Sequence, residues 1–492
     1  MAEGAASITE ASHRRHDPRD AALWSVVREE GAAFIETARG RGAPLPRYVE
    51  DELHAYLRCG VLACGFARAR CAGCGRDKLV AFSCKRRGVC SSCGGRRMSE
   101  TAAELVTRTI PEVPVRQWVL SLPWALRLPV ARDSALLTKV ARIFFEAIRE
   151  QLRAKVGGHG LGERVEVGAI TFVQRFGGSL NLNPHLHVLV TDGVFLCPDD
   201  GSTPRFVPTL RPTRVELASV SRQVAERVSR IRAVRNDDGL DGLRAAAMSR
   251  GATARLPLGE PIAREDARFE ARHAGVEHAG YDVHAGVRVE ADDRVGLERL
   301  CRYVARPAVC GERVARLEGG GVAYRLKYTR RDGATHRVMS GQEFMARLVA
   351  LIPPPRSPLV RYHGVFAPNS PWRAVIVPGP RRPHPRDGAR AVGCAHSGAD
   401  AEGAEGAEGQ ASAWFEGIAA VRRVGLTTWD WATLLQRVWG VDALKCDGCG
   451  GRMKFIAVIK ERAVVERILK HLGEDAEEPR FAKARDPCDA WE

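Results

Sequence analysis

The chain carries two Cys-x-x-Cys pairs that restrict how its first hundred residues can fold. Cys71 and Cys74 form the first pair, Cys90 and Cys93 form the second, and 15 residues separate them. Each pair can present two thiolates from a tight turn, and two such pairs complete a tetrahedral zinc site. We therefore predict a zinc ion at these four cysteines, with four buried free cysteines as the purely structural alternative.

The neighbouring cysteines leave the choice of ligands open. Seven of the 14 cysteines of the chain lie between residues 59 and 98. Cys84 stands between the two pairs and is an alternative ligand, and Cys59 and Cys64 precede them. Spacing alone does not decide among these thiols.

A third pair, Cys446 and Cys449, lies far down the chain. Two cysteines make half a zinc site, so the pair needs further ligands, which could be His471, Cys488 or another subunit. A redox-active pair is the alternative, although the surrounding sequence has no thioredoxin-like pattern.

The sequence shows neither a secretory signal nor a membrane-spanning segment. No run approaches the roughly 20 apolar residues that a membrane helix needs, and the first 20 residues lack the apolar core of a signal peptide. We therefore expect a soluble cytoplasmic protein, in which clustered cysteines bind metal more often than they form disulfides.

The net charge favours a polyanionic partner. Lysine and arginine number 75 against 59 acidic residues, which gives a formal net charge of +16. Contacts to phosphates release counterions and supply affinity, so this excess suits nucleic acid. The alternative is that arginine-rich composition reflects a GC-rich genome, and charge alone does not decide between the two.

Composition and periodicity divide the chain into five parts. We predict a flexible arm at 1–20, a helical and zinc-binding domain at 21–108, an α/β domain at 109–377, a disordered linker at 378–413, and a C-terminal Cys-x-x-Cys module with its tail at 414–492. Within the α/β domain, the apolar segment from Val113 to Pro129 predicts a buried strand. Val165 to Arg175 and the run HLHVLVTDGVF predict a hairpin.

That hairpin contains a His-x-His motif. Side chains alternate along a strand, so His185 and His187 point to one face while Leu186 and Val188 point to the other. Two imidazoles on one face can share a divalent cation. The motif by itself also occurs in metal-dependent hydrolases and by chance.

A tyrosine between two arginines is the second candidate. Tyr303 lies towards the end of a predicted amphipathic helix, and Pro307 limits the continuation of that helix. Such a tyrosine could attack a phosphate, although a partly buried structural tyrosine is the commoner case.

Several longer blocks occur in an order that resembles a known family. They are SCKRRGVCSSC, VRQWVLSLPWALR, TFVQRFGGSLNLNPHLHVLVTDGVF, RYVARP, LVRYHGVFAPNSPWR and DALKCDGCGGRMKFIA. Together they resemble the rolling-circle insertion-sequence transposases of the IS91 family, which are HUH-type enzymes. The resemblance covers residues 20–377 and 414–472.

The resemblance implies a role for each matching residue. His185 and His187 match the two metal-binding histidines, and Tyr303 matches the nucleophile. Many members carry a second tyrosine four residues earlier, where this chain has Arg299, so the chain resembles the single-tyrosine branch. HUH sites usually take a third polar ligand, for which Gln174 on the preceding strand is the candidate; an ordinary strand glutamine is the alternative.

The implied fold is an α/β (α+β) catalytic domain with a central antiparallel sheet, flanking helices and the histidines on a middle strand. The implied reaction cleaves and rejoins single-stranded DNA with Mg²⁺ or Mn²⁺ through a 5′-phosphotyrosine on Tyr303, in the cytoplasm of a bacterium at the nucleoid. The sequence has no GxxxxGK[ST] loop for ATP. Basic residues near both motifs are candidate DNA contacts, with solvated arginines as the alternative: Arg302, Arg306, Lys85, Arg86, Arg87, Arg96 and Arg97.

Three other functions share parts of this pattern. A metal-dependent hydrolase would use the His-x-His pair with further ligands and no tyrosine. A catalytically inactive zinc-containing DNA-binding protein would keep binding without the histidines. A replication initiator of rolling-circle plasmids would share the chemistry in another biological context.

Overall fold

A computed structural model describes residues 17–157, 163–200, 202–231, 240–248, 253–254, 256, 275–378 and 444–482. The predicted linker, apart from its first residue, and the first 16 residues of the predicted arm lie outside this part of the chain. Within it, no helix is long and apolar enough to cross a membrane.

The α-helices of the described residues run over Ala22–Gly40 (α1), Arg47–Leu57 (α2), Ser91–Glu104 (α3), Trp124–Arg132 (α4), Ser134–Val156 (α5), Arg214–Ser229 (α6), Asp241–Met248 (α7), Arg294–Ala305 (α8), Gly341–Leu351 (α9), Arg373–Ile376 (α10) and Arg462–Leu472 (α11). Short 3₁₀ turns occur at Pro18–Asp20, Leu62–Cys64 and Gly311–Arg313, and a π-helical turn at Leu105–Thr109.

The strands run over Phe66–Cys71 (β1), Asp77–Ala81 (β2), Val115–Ser121 (β3), Glu163–Glu166 (β4), Gly168–Phe176 (β5), Leu182–Thr191 (β6), Gly193–Pro198 (β7), Arg205–Pro208 (β8), Thr253–Ala254 (β9), Val276–His278 (β10), Tyr281–Val289 (β11), Val314–Arg316 (β12), Val322–Arg325 (β13), His336–Met339 (β14), Val360–Gly364 (β15) and Met453–Ile459 (β16).

The centre of the molecule is a six-stranded antiparallel sheet in the order β10-β11-β3-β6-β5-β15. The strand that carries both histidines, β6, therefore lies in the middle, between β3 and β5. This arrangement confirms the predicted α+β class with its central antiparallel sheet.

Helices cover both faces of this sheet. Leu186 and Val188 of β6 belong to a core shared with α5 and α6 on one face. Leu189 belongs to a second core on the opposite face, shared with Ala102 of α3 and Leu300 of α8. Because side chains alternate along a strand, His185 and His187 point to the same side as Leu189, and α8 packs on that side.

A buried charge cluster ties three parts of the sheet together. Asp192, between β6 and β7, accepts two hydrogen bonds from Arg116 of β3 at 2.7 and 2.8 Å and one from Arg288 of β11 at 2.7 Å. The Asp192 and Arg116 side chains are almost fully buried. Removing one partner of such a cluster leaves an unpaired buried charge, so the cluster favours this strand order over others.

The N-terminal helices share a core with distant parts of the chain. Leu23 of α1 and Leu53 of α2 pack in one cluster with Tyr324 of β13 and Leu348 of α9. In the described residues this core contains side chains from both sides of the predicted domain boundary at residue 108. The boundary remains a prediction. Besides the central sheet, the described residues form three smaller sheets, with the orders β16-β1-β2, β12-β13-β14-β9 and β4-β7-β8.

The predicted strand from Val113 to Pro129 is shorter in the structure. Strand β3 ends at Ser121, and α4 begins at Trp124. Pro123 has no N–H to continue a strand ladder, and it stands immediately before the first helical residue. The apolar run therefore divides into a strand and a helix, and this division brings Trp124 beside the central sheet.

Candidate active site and zinc sites

The two histidines lie side by side on β6. Their ring centroids are 4.9 Å apart. The Nδ1–H of His185 donates to the carbonyl oxygen of Asn183 at 2.7 Å. Since a carbonyl oxygen can only accept, the proton of a neutral His185 ring is on Nδ1, and its Nε2 has the lone pair that metal ligation requires.

Burial keeps both rings neutral. Burial is the largest of the effects that lower the pKa of His185 to about 4, and the positive charges of Arg306 and Arg127 contribute to the same shift. Burial also lowers the pKa of His187 well below its usual range, with additional effects from His185 and Arg306. A metal-bound imidazole must be deprotonated, so this environment suits ligation better than a charge-bearing role.

His187 is held by a residue that the sequence motifs do not indicate. The side-chain amide nitrogen of Gln117, on β3, is 2.7 Å from His187 Nδ1. Among the described residues, neither the buried His187 Nε2 nor the buried Gln117 Oε1 has a hydrogen-bond partner. A buried ring nitrogen without a partner, next to a second imidazole, is the kind of donor set that a divalent cation satisfies.

Tyr303 reaches the histidines from α8. Its ring is 5.8 Å from the ring of His187, centroid to centroid, in an edge-on arrangement, and 8% of the residue is exposed. Two cations lie against the tyrosine ring: the Arg306 guanidinium carbon at 4.6 Å and the Lys327 Nζ at 4.8 Å from its centroid. The structure thus brings the three residues of the predicted active site onto one face of the sheet.

Gln174 connects the histidine strand to the tyrosine helix. It pairs with His185 in the register of β5 and β6. Its amide nitrogen donates to the carbonyls of Tyr303 and Val304 at 3.2 and 2.9 Å, and its Oε1 accepts from Arg306 at 3.5 Å. These contacts give Gln174 a role in holding the end of α8, and its assignment as a third metal ligand remains a prediction.

The cysteines form two groups of four that differ from the predicted set. Cys90 and Cys93 lie with Cys59 and Cys84, and the four Sγ atoms are within 4.8 Å of one another. Cys71 and Cys74 do not join them but lie with Cys446 and Cys449, again within 4.8 Å. The predicted single site at Cys71, Cys74, Cys90 and Cys93 is therefore wrong as a set.

The physical reason lies in the elements that carry the two pairs. Cys71 and Cys74 stand at the tip of the β1–β2 hairpin, whereas Cys90 is the N-cap of α3 and accepts from the Cys93 N–H at 3.4 Å. The hairpin directs one pair away from the helix. Cys59 and Cys84 take its place, and the alternative ligand Cys84 is thus a member of the group.

For Cys446 and Cys449 the missing partners are cysteines of the same chain. His471 lies on α11 and is not in the group, and Cys488 lies outside the described residues. Four clustered thiols in each group match the ligand set of structural zinc.

Two family models match the chain. Residues 26–122 match the family described as "Transposase zinc-binding domain" (Zn_Tnp_IS91), and residues 168–373 match the family described as "Putative transposase" (Y2_Tnp). The chain belongs to the IS91 transposase family. The resemblance predicted from the motifs is thus confirmed, and with it a DNA transposase that binds zinc. No curated protein and no solved structure matches the chain.

Among the basic residues predicted to contact DNA, two make contacts within the transposase itself. Arg302 pairs with Glu298 at 2.9 Å. Arg87 donates to the carbonyls of Ser357 and Pro354 at 3.0 and 3.4 Å, and burial lowers its pKa. Both therefore have structural partners in the protein alone.

The remaining basic candidates differ in position. Arg97 donates to the carbonyl of Lys85 at 3.0 Å, and Lys85 itself is exposed. Arg86 and Arg96 are partly exposed on the same zinc-binding region, and Arg306 lies against the ring of Tyr303. The role of these residues in DNA binding remains a prediction.

Tyr324 and Tyr328 are also four residues apart, and they differ in how far they are buried. Tyr324 is 1% exposed and packs under Arg313, whose guanidinium carbon is 4.5 Å from the ring centroid. Tyr328 is 49% exposed and has Lys327 Nζ 5.3 Å from its ring centroid. A DNA phosphate cannot reach Tyr324 without local unfolding, whereas Tyr328 is accessible.

Proposed function

We propose that this transposase cleaves and rejoins single-stranded DNA by the rolling-circle, HUH-type reaction, with Tyr303 as the nucleophile and His185 and His187 as the ligands of Mg²⁺ or Mn²⁺. One observation carries the proposal. The Tyr303 ring stands 5.8 Å from the His187 ring, on the face of the sheet where two neutral imidazoles offer their nitrogens.

The histidines suit a divalent cation. Both rings are neutral, His185 has its Nε2 lone pair available, and the buried His187 Nε2 has no hydrogen-bond partner in the described part of the chain. When bound, such a cation polarises the scissile phosphate and offsets the charge that develops on it. Gln174 is the candidate third ligand, because it pairs with His185 on the adjacent strand.

The reaction exchanges one phosphate ester for another. The phenolic oxygen of Tyr303 forms a bond to phosphorus while the bond to the 3′-oxygen of the preceding nucleotide breaks. The phenol loses its proton, and the departing oxygen gains one and becomes a 3′-hydroxyl. The 5′-phosphate stays on Tyr303, and attack by another 3′-hydroxyl reverses the step and joins strands without ATP.

Positive charge beside the tyrosine supports this role. Arg306 and Lys327 lie within 5 Å of the ring centroid, so both can contact a phosphate that approaches the phenolic oxygen. We also propose that the transposase acts at the bacterial nucleoid, because its substrate is DNA.

The test is a covalent protein–DNA complex. Single-stranded oligonucleotides tiled over the DNA that flanks the gene are labelled at the 3′ end and incubated with the full-length protein and Mn²⁺. On a denaturing gel the label should move with the protein, because the 5′-phosphate of the 3′ fragment is attached to Tyr303. A 5′ label should appear on a shorter free strand that a polymerase can extend.

Three variants decide the assignment. Tyr303→Phe and the double variant His185→Ala/His187→Ala should each abolish the labelled band, whereas Tyr328→Phe, an accessible tyrosine near the same lysine, should keep it. A band that persists in Tyr303→Phe would show that another tyrosine is the nucleophile. Strong DNA binding without a band at any oligonucleotide would point to an inactive DNA-binding protein, and release of DNA without a covalent complex would point to a metal-dependent hydrolase.

A further inference from the structure

The two Cys-x-x-Cys pairs of the second cysteine group fold into matching turns, at Cys71–Gly75 and at Cys446–Gly450. In each turn the N–H of the first cysteine donates to the carbonyl five residues later, at 2.9 Å in the first turn and 2.8 Å in the second. The glycine N–H donates back to the first cysteine's carbonyl at 3.1 and 2.9 Å. The two glycines have φ of +73° and +71°, a conformation that favours glycine.

The four Sγ atoms of the two turns face one another. The Sγ of Cys71 is 3.4 Å from that of Cys449, and the Sγ of Cys74 is 3.6 Å from that of Cys446. These separations exceed the ~2.05 Å of a disulfide. They are close to the roughly 3.8 Å between ligands of a tetrahedral zinc with Zn–S bonds of about 2.3 Å.

The chain around the second turn completes the fold around the first. Strand β16 pairs antiparallel with β1, so β16, β1 and β2 form one sheet. Val465 and Leu469 of α11 pack into one core with Leu62 and Phe66, and Phe66 is fully buried. The N-terminal hairpin therefore depends on residues almost 400 positions later for its edge strand and its core.

We infer that one structural zinc ion is held by Cys71, Cys74, Cys446 and Cys449. This zinc, which we call the fastening site, links the C-terminal segment 444–482 to the N-terminal hairpin β1–β2. A second zinc is held independently by Cys59, Cys84, Cys90 and Cys93. The match to the zinc-binding family ends at residue 122, so half of the ligands of the fastening site lie outside it. The described residues of the transposase thus hold two zinc ions, and one of them joins the N-terminal hairpin to the segment 444–482.

The energetic reason for a metal is the length of chain between the two halves. Cys71 and Cys449 are 378 residues apart. Closing so long a loop has a large entropic cost, although the cost grows only slowly with length. A three-stranded sheet and one small core give limited stabilisation, whereas zinc binding contributes directly to the free energy of folding.

The first measurement is alkylation of the wild-type protein by iodoacetamide, read by mass spectrometry. Cys74 and Cys449 are exposed apart from any metal, so burial by the protein does not protect them. In zinc-loaded protein all four cysteines of the fastening site should resist alkylation, and chelator should release them together. Rapid alkylation of Cys446 and Cys449 in zinc-loaded protein, or disulfides between the two turns, would overturn the inference.

The second measurement counts zinc and tests the fastening. A protease site is inserted between Gly403 and Ala404, in the Ala-Glu-Gly repeat of the full-length chain, and the N-terminal part carries the affinity tag. After cleavage the C-terminal part should stay bound. Cys446→Ser/Cys449→Ser should lower zinc from two ions to one per chain and release at least ten times more of the C-terminal part.

Two controls separate this site from the other cysteines. Cys59→Ser/Cys93→Ser should also lower zinc to one ion per chain but leave the C-terminal part attached. Cys310→Ser, outside both groups, should keep two ions and the attachment. Two zinc ions in Cys446→Ser/Cys449→Ser, or equal release from that variant and the wild type, would overturn the inference. Neither measurement depends on DNA cleavage.

Discussion

At the scale of single residues, the readiness of His187 for a metal depends on the amide of Gln117. If the Gln117 amide nitrogen donates to Nδ1, a neutral His187 carries its proton on Nε2, and Gln117 Oε1 has no partner. A half-turn of the amide lets Oε1 accept from Nδ1–H instead. That arrangement satisfies the buried oxygen and leaves the Nε2 lone pair for the cation, so we infer that it is the metal-binding state.

Removal of this acceptor should weaken metal binding. We expect Gln117→Leu to lower the affinity for Mn²⁺ about 10- to 100-fold, the usual effect of losing an outer partner of a metal-bound histidine. Gln117→Glu keeps an acceptor for Nδ1–H and should stay near the wild type. Calorimetric titration with Mn²⁺ measures the affinity, and the Mn²⁺ concentration that gives half of the covalent complex should shift in parallel. An unchanged titration of Gln117→Leu would contradict the role of Gln117.

Sequence motifs predict some of these residues and not others for a simple reason. His185 and His187 fall in one short pattern on one strand, and Tyr303 falls in another pattern that resembles a family block. Gln117 stands 70 residues from His187, in the block VRQWVLSLPWALR, which gives it no role of its own. Its contact with His187 follows from the pairing of β3 with β6, because that pairing places side chains on the same face of the sheet next to one another.

At the scale of elements, the turn from β3 into α4 gives the site an exposed aromatic. Ser121, the last residue of β3, pairs with His185, and Trp124 follows three residues later with 56% of its surface exposed. The Arg127 guanidinium carbon lies 5.4 Å from the Trp124 ring centroid. Arg127 is also near enough to His185 to lower its pKa through charge. An aromatic ring paired with a cation next to the histidines suits a base of a single strand.

We expect Trp124→Ala to weaken binding of single-stranded DNA about tenfold, because stacking of a base on an aromatic ring contributes about 1–3 kcal/mol. Trp124→Phe keeps a ring and should recover most of the affinity. Fluorescence anisotropy with a labelled oligonucleotide measures both variants, and circular dichroism confirms the fold. Equal affinity of the alanine variant and the wild type would show that the strand takes another path.

The elements themselves were predictable where local patterns are complete. The helix that carries Tyr303 and the strands β5 and β6 follow clear periodicities. The segment 235–290 is polar in sequence, yet β10 and β11 within it form one edge of the central sheet. Their place depends on pairing with β3 and on the Arg288–Asp192 contact, which are long-range interactions that a local pattern does not contain.

At the scale of the whole molecule, distance along the chain is a poor guide to which cysteines meet. The pairs at Cys71 and Cys90 are neighbours in sequence but belong to different groups, and the pair at Cys446 is the spatial partner of Cys71. Spacing predicts that a pair can hold metal, because both thiolates stand on one turn. Which pairs combine depends on how the hairpin β1–β2, the helix α3 and the strand β16 pack.

This packing also connects a zinc site to the tyrosine. Cys90 and Cys93 begin α3, and α3 shares a core with α8, the helix of Tyr303. Gly94 of α3 faces Pro307, four residues after Tyr303. A Cβ added to Gly94 would stand 2.6 Å from the Pro307 Cβ, whereas one added to the neighbouring Gly95 would have no atom within 4 Å.

Gly94→Ala should therefore displace the chain that follows Tyr303, since the proline ring is fixed to the backbone and cannot turn aside. A misplacement of about 1 Å at a reacting group can lower a rate about 100-fold, so we expect covalent complex formation to slow by about 10- to 100-fold. Zinc content and affinity for single-stranded DNA should not change, because the cysteines and Trp124 remain.

Gly95→Ala is the matched control on the same helix: it should keep the wild-type rate and raise thermal stability slightly, as alanine favours helix over glycine. Equal rates for the two variants in a single-turnover assay would mean that the zinc-bound helix does not position the nucleophile.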